Sequence, residues 1–322
     1  MMGFSGIHMD TYGFPKTAYS HLDAIPKKIK LEDELPTLID ETRENVHGEE
    51  EPYLIFNNVG AWPVQRTADR KQDAVYIEVW PPYDRYASIA QLIRDARTYA
   101  KDDKSTILAA YLKPFREGKR EKALPAAKLL MGSIVSNGAT HLLTGENQTA
   151  LTQGYYSDYT KFSDSEAEAI RRYYDYMIRY ENLFFDPELQ DVTMTHTGWD
   201  NYEYQCTSHK VSSYGEAGKI WMLLREKDYR KCIYLLNLCG QSEDYWNEGK
   251  EEPDTQKDIK FTVQVDTPVE RICFSTPDGE NMDAVELHFT EKTTKTGKFI
   301  DFTVPSLNYW TTIWIDTRKE TI

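Results

Sequence analysis

Three shortages in this 322-residue chain each remove a class of function. Cysteine is scarce: Cys206, Cys232, Cys239 and Cys273 are the only four, all in the later part of the chain. They form no CxxC pair, and no histidine spacing around them suggests zinc, so they read as buried free thiols. No run of 18 apolar residues occurs, which excludes a helical membrane span. Positive charge is outweighed, with 38 Lys and Arg against 52 Asp and Glu and a net charge of −14. Without a basic stripe, a nucleic-acid partner is excluded, because phosphate binding needs clustered Lys and Arg. A neutral substrate fits such a surface more easily than a polyanion. Repeats and low-complexity tracts are missing, and no cluster suggests a metal or an organic cofactor. No basic segment followed by an apolar stretch opens the chain, so no signal peptide is visible and the compartment stays open.

A hydrophobic share of 40% with 28% charged residues describes a folded globular chain. Aromatics are abundant, with 22 Tyr, 12 Phe and 7 Trp. They suit cores and also surfaces that stack on ring-shaped ligands. The stretch Gly3 to Gly13, GFSGIHMDTYG, reads as a short buried strand over Gly6 to Thr11 that ends in the carboxylate Asp10. Residues 15–26 read as irregular. Leu31, Leu35, Leu38, Ile39 and Thr42 recur at helical spacing, predicting a helix over 32–46. Strands follow at 53–60, 74–80, 105–112 and 139–145, separated by helical patterns near 89–100 and 124–137. Ser163 and Glu166 form a capping box that opens a long aromatic helix.

Strands alternating with helices imply βαβ units and a parallel sheet. Apolar strands with a polar residue near the C-terminal end suit a (β/α)8 barrel, although the strands here are fewer than the eight that close one. Beyond about residue 190 the pattern becomes all-β, most simply a β-sandwich. The expected division is residues 1–190 as the later part of a catalytic barrel and 191–322 as a sandwich domain. The charged stretch Glu243–Lys257 reads as a surface loop.

Asp10 and Glu78 end matching strands two βα units apart, which brings both carboxylates to one mouth. Two carboxylates flanking one small volume are what glycosidic cleavage requires. One attacks or stabilises the sugar carbon while the other donates a proton. The donor must hold that proton at neutral pH, and apolar neighbours such as Trp80 favour this by desolvation.

The blocks GIHMDTYG, YLIFNNVGAW, VYIEVWPPYDRY, ILAAYLKP, ATHLLTGE and RRYYDYMIRYENL occur in an order that resembles glycoside hydrolase family 66. That family holds dextranases and cycloisomaltooligosaccharide glucanotransferases, which act on α-1,6-linked glucan. The resemblance implies a retaining mechanism with Asp10 as nucleophile and Glu78 as general acid/base. It implies export to an extracellular or periplasmic site. The transferases resemble enzymes carrying an inserted carbohydrate-binding module, and two βα units account for the whole link from Glu78 to His141. The expected activity is therefore dextranase-like; the alternatives are a cyclising glucanotransferase or an inactive fragment that at most binds glucan. A full member would carry an N-terminal β domain and three strands before the Asp10 strand. The expectation is thus a truncated reading or a degenerate fragment with exposed strand edges.

Around the acids, His8 shares the face of Asp10 and either contacts a sugar hydroxyl or serves the structure. Tyr12 follows at the turn. Of Asn57 and Asn58, one should face the mouth and the other the loop. Trp62 and Trp80 are candidates for stacking on glucose or for core packing. Tyr111, His141 and Glu146 lie at the ends of the last two strands and complete the expected substrate-binding set. Asp84 reads as an N-cap, and Trp199, Trp221, Trp246, Trp310 and Trp314 read as sandwich core.

Overall fold

The computed structural model describes residues 5–11, 14–22, 24–47, 51–101, 104–154, 160–198 and 201–318. β1 (Gly6–Met9) leads into a hairpin of β2 (Thr17–Ser20) and β3 (Lys27–Lys30), then α1 (Leu31–Asn45). β4 (Tyr53–Val59), α2 (Val64–Thr67), β5 (Ala74–Glu78), α3 (Tyr86–Tyr99), β6 (Ser105–Ala109), α4 (Ala123–Ser136) and β7 (Ala139–His141) follow. β1, β4, β5, β6 and β7 form one parallel sheet in that order. Alternation along β5 explains its two faces. Val75, Ile77 and Val79 join the core under α3 and α4, while Tyr76 and Glu78 point to the opposite side. Along β4, Leu54 and Phe56 pack on Ile39 of α1, which turns Asn57 to the face of Glu78.

The aromatic helix α5 (Asp164–Arg179) opens with the expected capping box. The Ser163 N–H donates to Glu166 Oε2 at 2.7 Å, and the Glu166 N–H donates to Ser163 Oγ at 3.3 Å. After α6 (Glu181–Phe184) come β8 (Gln190–Asp191), α7 (Thr193–His196), β9 (Tyr204–Cys206), β10 (Val211–Ser212), β11 (Ile220–Lys227) and β12 (Arg230–Asn237). The remaining strands are β13 (Gln256–Val265), β14 (Val269–Ser275), β15 (Val285–Glu286), β16 (Phe289–Thr294), β17 (Gly297–Leu307) and β18 (Trp310–Thr317). The larger sheet runs β10-β11-β12-β18-β14-β15, with β8 on β11; the smaller runs β16-β17-β13-β9. The larger sheet is buried on both faces. Ile220, Met222, Ile233, Leu235 and Ile313 meet Phe261, Val263 and Ile300 of the smaller sheet. Trp221, Tyr234, Leu236, Trp310 and Trp314 face the helices instead. At α4, Gly132 admits the sheet: a Cβ there would lie 2.7 Å from Leu236 Cδ2 and 3.1 Å from the Trp310 ring. Among the described residues no helix is long and apolar enough to cross a membrane.

Several expectations need correction. β1 stops at Met9 and is half-exposed, with Ile7 39% exposed. It ends the sheet order, so only its β4 side is paired among the described residues. Residues 15–26, read as irregular, hold β2 and the approach to β3; the strands are too short and polar to show a period. Asp84 caps nothing with its side chain: Arg85 is the N-cap of α3, and the Asp84 carbonyl accepts from the Trp246 N–H at 3.0 Å. The Glu243–Lys257 stretch is no simple surface loop. Lys250 is 1% exposed and its ammonium donates to Glu243 Oε1 at 2.5 Å, while Tyr86 N–H donates to the Asp244 carbonyl at 3.1 Å. Trp221, Trp310 and Trp314 lie between the larger sheet and the helices rather than between the two sheets, and Trp199 falls outside the described residues. The cysteines are free thiols, buried at 232 and 273 and half-buried at 206 and 239.

Trp310 is fully buried, with ring centroids 4.9 Å from Tyr176, 5.2 Å from Phe184 and 5.9 Å from Tyr173. Trp310→Ala should therefore destabilise the chain by about 3–5 kcal/mol. Urea unfolding should still show one transition, because the helices and the larger sheet share this core; two resolved transitions would contradict it.

Candidate active site

The C-terminal edge of the parallel sheet gathers the polar groups. Met9 of β1 lies level with Phe56 of β4, so the next residue, Asp10, comes level with Asn57. Asn57 is level with Tyr76, and Glu78 stands two residues further on. All four side chains share one face. Asn57 Nδ2 donates to Asp10 Oδ1 at 2.7 Å and to Glu78 Oε2 at 3.2 Å. The two acceptor oxygens therefore cannot lie farther apart than the sum of those bonds, about 6 Å. Tyr111 Oη donates to Glu78 Oε1 at 3.0 Å. Each Glu78 oxygen thus accepts one hydrogen bond and keeps a second lone pair. Glu78 is 6% exposed and Asn57 4%, so the bond between them acts where water screens it little, whereas Asp10 is exposed.

Aromatic rings wall the group. The His8 ring packs at 4.6 Å on Tyr76, and Trp80 meets Tyr111 edge-on at 6.2 Å. Desolvation lowers the His8 pKa from its ordinary value, against the smaller raising effects of Asp10 and Glu78. The imidazole is therefore neutral at neutral pH. Burial pushes the Tyr76 phenol up to about 12, helped by the charge of Glu78. Tyr111 is raised further, again chiefly by burial. Both phenols stay protonated and act as donors.

Other candidates lie apart from this group. Asn58 alternates to the helix side, where its Nδ2 donates to the Tyr76 carbonyl at 2.8 Å and its Oδ1 accepts from Thr67 Oγ1 at 2.6 Å. Trp62 sits half-buried in the turn after β4, with the Lys16 ammonium 3.4 Å from its ring centroid. His141 is fully buried, and its Nε2 donates to the Ala110 carbonyl at 2.9 Å, next to Tyr111. Glu146 is exposed in a single 3-10 turn. Tyr12 lies outside the described residues. Two residues escaped the sequence reading. Tyr76 was legible, since period 2 from Glu78 puts it on the same face. Gly154 was not: it lies in a loop without a motif, yet it meets Glu78, Trp80 and Tyr111.

A family model, "Glycosyl hydrolase family 66", matches residues 1–314. The chain belongs to glycosyl hydrolase family 66. A cycloisomaltooligosaccharide glucanotransferase of Niallia circulans is 28% identical over 193 residues, covering 59% of this chain and 19% of that protein. A second from the same organism is 26% identical over 191 residues, covering 58% and 19%. The matched segment is thus about a fifth of these relatives' length. A crystal structure of a Paenibacillus sp. cycloisomaltooligosaccharide glucanotransferase, complexed with cycloisomaltoheptaose, has a TM-score of 0.83 at 16% identity. It covers 97% of this chain and 62% of that one, and shows a shared fold.

Burial lowers the His141 pKa to about 4 from 6.5. The unfolded chain takes up this proton first, so the associated stability is complete above pH 6.5. It is lost as pH falls toward 4, by roughly 3 kcal/mol in all. His141→Gln keeps a donor for the Ala110 carbonyl but cannot titrate. Its unfolding free energy should vary less between pH 6.5 and 4 than that of the parent; an identical slope in urea titrations would refute this.

Proposed function

We propose that the chain is a retaining glycoside hydrolase acting on α-1,6-glucosidic bonds of dextran-type glucan. The observation that carries this reading is the single Asn57 amide bound to both carboxylates. It limits their nearest oxygens to about 6 Å, which suits the ≈ 5–5.5 Å of retaining enzymes rather than the ≈ 6.5–9.5 Å of inverting ones. Asp10 attacks C1 of the glucosyl unit as Glu78 gives its proton to the departing O6. The C1–O6 bond breaks, and a covalent β-glucosyl ester forms on Asp10. Glu78, now a carboxylate, takes a proton from water; that water attacks C1, breaks the ester and yields the α-product. His8 and Tyr76 line the same face and are assigned to sugar hydroxyls, with Trp80 and Tyr111 as the apolar wall. Trp62, His141, Glu146, Asn58 and Tyr12 are kept as outlying or supporting candidates.

Within this proposal, the five parallel strands are an arc of a (β/α)8 barrel, residues 1–190 are its catalytic portion, and residues 191–322 are a β-sandwich domain. An extracellular or periplasmic site of action follows from the polymeric substrate of the family. Water is assigned as acceptor because α3 and α4 fill the link from β5 to β7 and leave no inserted module. The second reading, a glucanotransferase making cyclic isomaltooligosaccharides, is favoured by the names of the relatives. Product analysis on dextran separates the two: linear reducing sugars support the hydrolase, and cyclic products overturn it in favour of the transferase.

Asp10→Ala should lower turnover of dextran by several orders of magnitude. With an activated α-glucosyl donor, azide should restore turnover and give the glycosyl azide of inverted configuration, read by NMR. An unchanged rate in the variant would sink the assignment of Asp10.

A further inference from the structure

Gly154 is the closest approach of any loop backbone to Glu78 that the glycine geometry reveals. A Cβ built there would overlap Glu78 Oε1, and would lie 3.0 Å from Trp80 Cζ2 and 3.1 Å from Tyr111 Cε2. The three neighbours are the acid itself, the phenol that hydrogen-bonds it and the ring packed against that phenol. None can yield independently. Glu78 is held by Asn57 on Oε2 and by Tyr111 on Oε1, and Trp80 packs edge-on against Tyr111. A methyl group at position 154 would push Oε1 off the Tyr111 hydroxyl.

We infer that Gly154 is a positioning residue for Glu78: its missing side chain lets the loop seat against the carboxylate and fix the direction in which the carboxyl group presents its proton. The inference rests on the proposed reading of Glu78 as general acid/base. Gly154 itself gives no proton and forms no bond to the substrate. Its effect on the rate runs through the angle and reach of another side chain, and a misplacement of about 1 Å costs on the order of 100-fold in rate.

The test uses the full chain with two substrates of different leaving group. Dextran needs a proton on its departing sugar oxygen; α-isomaltosyl fluoride releases fluoride without one. Glu78→Gln should lose turnover on dextran while retaining the fluoride-releasing first step. Azide should restore its turnover and give the glycosyl azide of retained configuration, because azide needs no general base. Gly154→Ala should show the same pattern in weaker form: about 100-fold loss on dextran, a much smaller loss in the first step with the fluoride, and azide rescue. Glu78→Ala removes the overlapped oxygen and leaves only the approaches of 3.0 Å to Trp80 and 3.1 Å to Tyr111, so Gly154→Ala in that background should cost the fluoride-releasing step at most a small loss.

Equal losses for Gly154→Ala on both substrates would overturn the inference, as would a loss of about 100-fold in the Glu78→Ala background or parental rates on dextran. These results leave the reading of Glu78 intact so long as Glu78→Gln keeps its leaving-group dependence. If Glu78→Gln shows no such dependence, or the parent chain cleaves neither substrate, the proposed function fails first, and the inference with it.

Discussion

Two carboxylates held by one amide nitrogen are the constraint from which the rest of the site follows. With nearest oxygens no farther apart than about 6 Å, two carboxylates would repel by roughly 3 kcal/mol or more at an effective dielectric of about 20 when both are ionised. The Asn57 NH2 group has two protons and gives one to each acid. Hydrogen bonds to charged acceptors contribute about 1.5–3 kcal/mol each, enough to offset that repulsion. The amide therefore does more than fill space. It sets the separation of the acids and makes that separation tolerable.

The amide can do this only if its strand is fixed to the neighbouring strand. Asn58, pointing the other way, ties the Tyr76 carbonyl to Thr67 of α2. This locks β4 to β5 at the residues where the acids meet. His141 acts similarly on the carbonyl of Ala110 and so on Tyr111. The β half reaches the same edge from outside. Its Glu243–Lys257 segment is bonded to the loop between β5 and α3 through Asp244 and Trp246, and to Lys113 after β6 through Asn247. The loops that follow Glu78 and Tyr111 are thus anchored on a sheet whose other face shares the core of α4 and α5.

Most of the α/β half was legible because its signals are local. Apolar residues at helical spacing, the Ser163 capping box and the polar ends of the strands each correspond to an element or a site position. What escaped was set by packing between distant segments. The strands around Trp221, Tyr234 and Trp310 are apolar on both faces, so nothing in their order says which face meets helices and which meets the other sheet. The charged run at Glu243–Lys257 buries Lys250 because a carboxylate and a carbonyl from the same run meet its ammonium, a result of folding that composition hides. At the site, Asn57 and Asn58 could be divided by alternation into one for the mouth and one for the loop. That Asn57 would touch both acids required the register of three strands. Gly154 had no sequence signal at all, since its significance is a distance to residues far away in the chain.

An amide at position 57 meets both acids without placing a charge between them. A lysine or arginine between them would also relieve their repulsion, but would add a charge and favour the ionised form of both more strongly than a neutral donor does. An amide fixes geometry without adding charge. The rest of the group keeps to the same rule. Desolvation keeps His8 neutral, burial keeps Tyr76 and Tyr111 protonated, and the Lys16 ammonium rests on the rings of Trp62 and Phe14. Among the described residues, every hydrogen-bond donor found on the two acids' side chains is uncharged. The contacts of the pair are thus set by neutral donors at fixed distances.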